Sequence, residues 1–412
     1  MKLLCLSNGH GEDAIALRIL QALRQHPSHP KLAALPLVGE GTAYLKHDIP
    51  IVGPVKSMPS GGFVYMDGRQ LVRDVQGGLV QLTLTQIRVA RAWAKSGGQI
   101  LAVGDIVPLM IAWLSGAPYA FVGTAKSEYY LRDEQGMLSR QSWFERLESW
   151  SGSVYLPWER WLMSRDRCAA VFPRDTLTTE ILKRWKIPAL DVGNPMMDGL
   201  SPRGDRLPHP HLDPENDEIP LTVALLPGSR SPEAYENWRQ MIAALKPMKT
   251  AFPNRKVLYL AAIAPALKLR SFYQILETQG WRRLNSSTTT TWIQGNAAIH
   301  LTQSDFARCL HQADFAIAMA GTATEQFVGL GKPAIIMPGN GPQFTSAFAE
   351  AQTRLLGPSV ILAATPQRVA QAIVSLMQDP DRLQLIAQNG RRRMGNPGAA
   401  QRIAQCLIER FQ

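Results

Sequence analysis

The stretch at residues 314–338, DFAIAMAGTATEQFVGLGKPAIIMP, is where the fold is decided. An apolar run at 315–320 ends in Gly321-Thr322-Ala323-Thr324-Glu325. An amphipathic segment follows, then Gly331-Lys332-Pro333 and a second apolar run at 334–337. In order this reads as strand, tight turn, helix, helix stop and strand, a right-handed βαβ unit. The turn sets small residues and two hydroxyls where a helix N-terminus meets the carboxyl edge of a parallel sheet. Unpaired N–H groups and the positive end of the helix dipole make such a place attractive to phosphates. Glu325, in the first helical turn, is placed to accept hydrogen bonds from sugar hydroxyls. An ordinary βαβ turn with a capping threonine reads the same way, so the rest of the chain has to choose.

The same grammar recurs upstream. An apolar strand at 221–226 runs into Pro227-Gly228-Ser229-Arg230, with a helix from about Glu233. Gly228 lets the backbone approach a ligand closely, and Ser229 and Arg230 add a hydroxyl and a planar cation suited to a diphosphate. Further strand–helix pairs fall at 257–263 and at 297–312. After the opening stretch, Pro338-Gly339-Asn340-Gly341-Pro342-Gln343-Phe344 is a glycine-rich loop leading into a helix at 346–355. Helices at 366–377, 380–389 and 399–411 close the chain. Arg391-Arg392-Arg393 falls in the connection before the last of them and reads as a solvated or lipid-facing surface.

The first half opens with a strand at 2–7, then Asn8-Gly9-His10-Gly11-Glu12-Asp13, then a helix at 14–24 whose apolar positions have helical spacing. The loop is not GxGxxG, so the dinucleotide fingerprint is missing. Its His10, Glu12 and Asp13 stand at the carboxyl edge, where open α/β sheets place ligands; Asp13 can equally cap the helix. Strands are expected at 32–38 and 49–52, and a long glycine-rich loop at 54–78 with apolar side chains reads as a lid or contact surface. A strand at 99–104 ends in Asp105, which stands where a catalytic carboxylate would have to be and also where it can cap the next helix. Residues 106–123 carry no charge, but Pro108, Ser115-Gly116 and Pro118 divide them into a short helix and a strand, not a bilayer span. Residues 137–167 interleave Trp143, Phe144, Trp150, Tyr155, Trp158 and Trp161 with arginines. That mixture suits a membrane interface, and also a helical hairpin packed on its own domain. Residues 201–220 are proline-rich with no apolar run, a linker.

The totals narrow the class. With 412 residues, 45% hydrophobic and 19% charged, the chain is long enough for two domains with sizeable cores. Its four cysteines are far apart, which points to a reducing compartment and no structural metal. The first residues turn polar too soon for a signal peptide. A formal charge of +11 favours polyanions. No zinc-finger spacing, RNP-like motif or long basic tract is present, which leaves an acidic membrane surface ahead of nucleic acid.

Three motifs, Ala224-Leu-Leu-Pro-Gly-Ser-Arg230 with Glu233, Ala320-Gly-Thr-Ala-Thr-Glu325 and Val192-Gly-Asn-Pro-Met-Met-Asp198, sample both halves. In order and spacing the chain resembles the GT-B glycosyltransferases, and within them lipid-A-disaccharide synthase and its relatives. The resemblance implies an α/β fold of two Rossmann-like doubly wound domains facing across a cleft. An acceptor-binding domain would take 1–200, a linker 201–220, a nucleotide-sugar domain 221–390, and a C-terminal helix at 391–412 would pack back on the first domain. It implies a UDP-sugar donor, with Gly228, Ser229, Arg230, Gly321, Thr322 and Thr324 at the diphosphate, Glu325 at the ribose and Gln343 near the donor. It also implies inversion at the anomeric carbon with no metal or other cofactor, and a lipid acceptor met by Gly9, Gly11, Glu12 and Asp13. Asp105 falls where the family has its proposed base, with His10 as rival. The location implied is the cytoplasmic face of a membrane, touched through 137–167. The family's first loop reads close to GExSGD, and its segment after the acid carries Pro-Asp-Phe-Asn. This chain departs at both, which implies an acceptor of its own. A UDP-sugar epimerase of the same fold and a non-enzymatic nucleotide-sugar-binding protein are the alternatives.

Overall fold

The computed structural model describes residues 1–55, 79–138, 146, 149–201, 207, 209–210, 219–284, 290–341 and 344–411, with the backbone alone at His10 and Leu79. Two compact units result. One comprises Met1–Asp198 with Asn396–Gln412, the other Gly199–Gly395.

The first unit is built on five parallel strands, β1 (Lys2–Ser7), β2 (Lys31–Pro36), β3 (Gln99–Gly104), β4 (Tyr119–Gly123) and β7 (Cys168–Phe172), in the order β2-β1-β3-β4-β7. A small hairpin, β5 (Arg132–Asp133) with β6 (Gly136–Met137), lies apart from it. The strands are apolar along their length because helices cover both faces of such a sheet. In β3 and β4 every residue after Gln99 is buried. The strand order reverses between β1 and β3, the switch point at which doubly wound sheets open a crevice for ligands.

The second unit has eight strands in the order β10-β11-β12-β9-β8-β13-β14-β15. These are β8 (Leu221–Leu226), β9 (Val257–Ala262), β10 (Arg282–Leu284), β11 (Thr290–Gln294), β12 (Ala297–Thr302), β13 (Phe315–Ala318), β14 (Ala334–Ile336) and β15 (Val360–Leu362). The run from β12 to β15 is parallel, while β10 and β11 are added antiparallel at one edge. The switch point lies between β8 and β13, so the turns after Leu226 and after Ala318 share it.

Several expectations are corrected. The first helix spans His10–Arg24, so Gly11, Glu12 and Asp13 form its opening turn instead of a loop. Gly9 stands at its N-cap, and Asp13 takes the Ser7 hydroxyl at 2.5 Å. The strand expected at 49–52 shrinks to a single bridge, Ala34 with Ile51, and a second bridge joins Val171 with Ala189. The expected loop at 54–78 lies almost wholly outside the described residues, as do Trp143 and Phe144 and most of 201–220. Residues 106–123 divide as expected, into the helix Ile106–Ser115 and β4. Among the described residues no helix is long and apolar enough to cross a membrane.

Arg391-Arg392-Arg393 is not a connection. These residues form the last turn of the helix Pro380–Met394, and Arg393 is buried. Its guanidinium donates to the carbonyls of Arg354 (2.6 Å) and Leu355 (2.9 Å), in the last turn of the helix Ser346–Leu356, where the helix itself supplies no amide. The chain returns to the first unit at Asn396. There the helix Ala399–Arg410 packs on the helix His10–Arg24. Its N-terminus is capped by Asp198, whose carboxylate accepts from the amides of Gly398, Ala399 (3.2 Å) and Ala400 (2.7 Å). Replacing this cap, Asp198→Ala, should cost about 1–2 kcal/mol in urea unfolding of the first unit. An unchanged midpoint would show that the cap contributes nothing.

Candidate functional site

At the switch point of the second unit three turns meet. β8 ends in Pro227-Gly228, and Gly228 has φ 98°, a conformation other residues rarely adopt. A Cβ there would stand 3.2 Å from the carbonyl of Met319, the residue just after β13. The Gly228 and Gly321 turns are therefore in contact. Asn237 joins them, donating from Nδ2 to Pro227 O at 3.0 Å and Met319 O at 3.4 Å. The third turn is held by Glu233, which accepts from the Phe344 amide at 2.7 Å, while Gly339 N donates to Phe344 O at 2.8 Å. Gly341 is needed for close approach: a Cβ would fall 2.4 Å from Glu233 Cγ.

Gly321 precedes the helix Thr322–Gly329, whose first amides have no partner within the helix. Ser229 and Thr322 are exposed and Arg230 half-buried beside them. Thr324 differs from expectation: it is fully buried, and its hydroxyl turns back onto Ala320 O. Its part is to shape the turn. Glu325 is buried as well. Gln343 lies outside the described residues. Asn237 was missed by the sequence reading, although it stands one helical turn after Glu233 and so on the same face.

At the switch point of the first unit, Glu12, Asp105, Asn8 and Thr124 come together. Asp105 caps the helix Ile106–Ser115: Oδ1 accepts from Val107 N at 2.9 Å, and Oδ2 accepts from Asn8 Nδ2 at 3.3 Å. Both its oxygens are engaged. Asp13 is buried under Tyr44, whose hydroxyl also meets Ser7 at 2.6 Å. Glu12 packs its Cγ over Gly104, where a Cβ would lie 3.3 Å away, and among the described residues it accepts a long bond, 3.4 Å, from Thr124 Oγ1 besides its own amide. Gly9 and Gly11 flank His10, where the helix backbone begins; the His10 side chain lies outside the described residues.

Burial is the main cause that pushes the Glu12 carboxyl up to about 7, reinforced by the charges of Asp105 and Asp13 and opposed by its amide and Thr124. Asp105 is also raised, by burial first, then by Glu159, and held back by Val107 N, Asn8 and Lys126. Lys126 and Glu159 form a buried ion pair at 2.6 Å beneath it. Among the described residues no group of three or more His, Cys, Asp or Glu could hold a metal ion.

The aromatic–basic segment is divided. Trp150 is 80% exposed, and Trp158 (54%) and Trp161 (45%) share one face of the helix Pro157–Met163. Arg165 stacks 4.5 Å over Trp161, which meets Trp113 edge-on at 5.2 Å. Tyr155 is buried, and Arg160 and Arg167 spend donors on the carbonyls of Ser151 and Trp113.

This geometry can be set against known proteins. A UDP-GlcNAc 2-epimerase from Neisseria meningitidis, solved bound to UDP-GlcNAc, superposes with a TM-score of 0.57 at 12% identity, covering 99% of this chain and 100% of that one. MurG of Acinetobacter baumannii superposes at 0.54 with 16% identity, covering 99% of each. At such identities the likeness shows the fold alone: this is a GT-B protein with two Rossmann-like domains. In sequence it resembles lipid-A-disaccharide synthase 1 of Legionella pneumophila (strain Lens), 26% identical over 203 residues, 48% of this chain and 46% of the relative. A UDP-N-acetylglucosamine–N-acetylmuramyl-(pentapeptide) pyrophosphoryl-undecaprenol N-acetylglucosamine transferase of Rhodopseudomonas palustris (strain BisA53) is 32% identical over 111 residues, 26% of this chain and 29% of the relative. The matches span less than half the length of these curated relatives. No family model matches the chain.

The raised Glu12 carboxyl has a measurable consequence. An unfolded glutamate ionises near 4.3, the folded one near 7, so between these values the native state holds the extra proton and stability falls as pH rises. Relative to Glu12→Gln, the wild type should lose about 1–3 kcal/mol between pH 4.5 and 8. Parallel stability curves would show an ordinary carboxyl.

Proposed function

We propose that the protein transfers a sugar from a UDP-sugar to a membrane-lipid-type acceptor, with inversion at the anomeric carbon and no required metal. The observation that carries this is the contact of the Gly228 and Gly321 turns at one switch point, with Arg230 and a helix N-terminus beside them. In the reaction the acceptor oxygen forms a bond to C1 as the bond from C1 to the donor phosphate breaks. The electron pair leaves with UDP, and the acceptor proton passes to a carboxylate or imidazole base. Glu12 joins Asp105 and His10 as a candidate for that base. Its looser bonding leaves a lone pair available, and its raised pKa suits proton transfer near neutrality. Glu325 is assigned to the ribose, and Gly228, Ser229, Arg230, Gly321 and Thr322 to the diphosphate, whose developing charge they stabilise.

The resemblance to lipid-A-disaccharide synthase and to the undecaprenol-linked transferase supports a lipid acceptor. The exposed Trp150, Trp158 and Trp161 with Arg165 support contact with the cytoplasmic face of a membrane. A second reading, a UDP-sugar epimerase, is favoured by the likeness to solved epimerases. A third is a nucleotide-sugar-binding protein without turnover.

Three measurements separate these. Arg230→Ala should lower kcat/KM by about 2–4 kcal/mol in transition-state terms; unchanged kinetics remove Arg230 from the site. Incubation with UDP-N-acetylglucosamine and no acceptor should return the donor unaltered, whereas a C2 epimer would establish the epimerase. Trp158→Ser with Trp161→Ser should weaken binding to vesicles of anionic phospholipid by at least about fivefold, and full binding would clear this face of a membrane role.

A further inference from the structure

Two buried amides stand behind the donor turns. Asn237, on the helix Glu233–Ala251, and Gln352, on the helix Ser346–Leu356, are each 1% exposed. Asn237 Nδ2 donates to Pro227 O and Met319 O, and Gln352 Nε2 donates to Ala320 O (3.4 Å) and Gly321 O (3.3 Å). Thr324 adds its hydroxyl to Ala320 O. Three consecutive carbonyls, at 319, 320 and 321, are thus held from the protein side. So is the carbonyl that precedes Gly228.

Both amides accept an unfavourable arrangement to do this. Among the described residues, Asn237 Oδ1 and Gln352 Oε1 are buried and have no hydrogen-bond partner. Rotating either amide by half a turn would point its oxygen at backbone oxygens, so the orphaned oxygen is the consequence of needing two N–H donors at that spot. A general electrostatic requirement explains the need. Peptide carbonyls aimed at an anion repel it, while amides aimed at it bind it, and in a tight turn the two alternate within a residue. Tying the carbonyls down from behind leaves the amides of both turns to the ligand.

We propose that Asn237 and Gln352 are positioning residues of the donor site, holding these carbonyls inward so that the turns accept the diphosphate of the nucleotide; the inference rests on the UDP-sugar reading above. The test is calorimetry of UDP and of UMP on the whole chain, since the ratio of their dissociation constants isolates the second phosphate. Asn237→Ala and Gln352→Met should each lower the preference for UDP by about tenfold and leave UMP affinity within about twofold. Asn237→Asp, with the same shape and no donor at that atom, reads the same ratio should the alanine variant fail to fold. Met241→Ala and Leu355→Ala remove buried apolar atoms from the same two helices and serve as controls. They should lower Tm without moving the ratio. A preserved ratio in the amide variants, or an equal fall in the controls, overturns the inference. A wild type with no preference for UDP overturns the donor reading itself.

Discussion

A backbone that grips an anion must offer its N–H groups while keeping its carbonyl oxygens, of the wrong sign and one residue away, out of reach. The second unit meets this constraint at the place where its strand order reverses. β8 and β13 lie side by side there, and their turns touch at Gly228 and Met319. The helix Glu233–Ala251 leaves the first turn and reaches across to the others through Glu233 and Asn237. Without that helix the three turns would be separate loops. With it they form one surface whose shape depends on glycine at 228 and 341, because a Cβ at either would strike backbone or Glu233.

The first unit solves a different problem at its own switch point. Carboxylates crowd there, and the fold assigns each a separate duty. Asp13 is locked beneath Tyr44 and Ser7, Asp105 caps a helix, and Glu159 is neutralised by Lys126. Glu12 is buried beside its neighbours' charge, and its affinity for a proton rises, by burial first.

Much of this was legible in the sequence, for identifiable reasons. Long apolar runs followed by small residues marked β1, β3, β8 and β13 with their turns, because parallel strands are apolar on both faces. The short edge strands gave no such signal: Arg282–Leu284 carries two arginines, and Val360–Leu362 is three residues long. The first helix began earlier than read because Gly9 and Gly11 look like loop residues, whereas only Gly9 has a positive φ. Within the sites, residue types could be read and their bonds could not. The sequence leaves Asp105 open as base or cap, and its bond from Val107 N shows the cap without removing the base; Thr324 reads as a ligand, whereas its hydroxyl faces inward. Asn237 meets a carbonyl 82 residues away, a pairing that no local pattern encodes.

The most direct test of the central claim is a crystal structure of the whole chain with UDP. The β-phosphate is expected within hydrogen-bond distance of amides in both turns, at 228–230 and at 321–323, with Arg230 alongside. A nucleotide bound elsewhere, or bound with its phosphates away from these two turns, would contradict it.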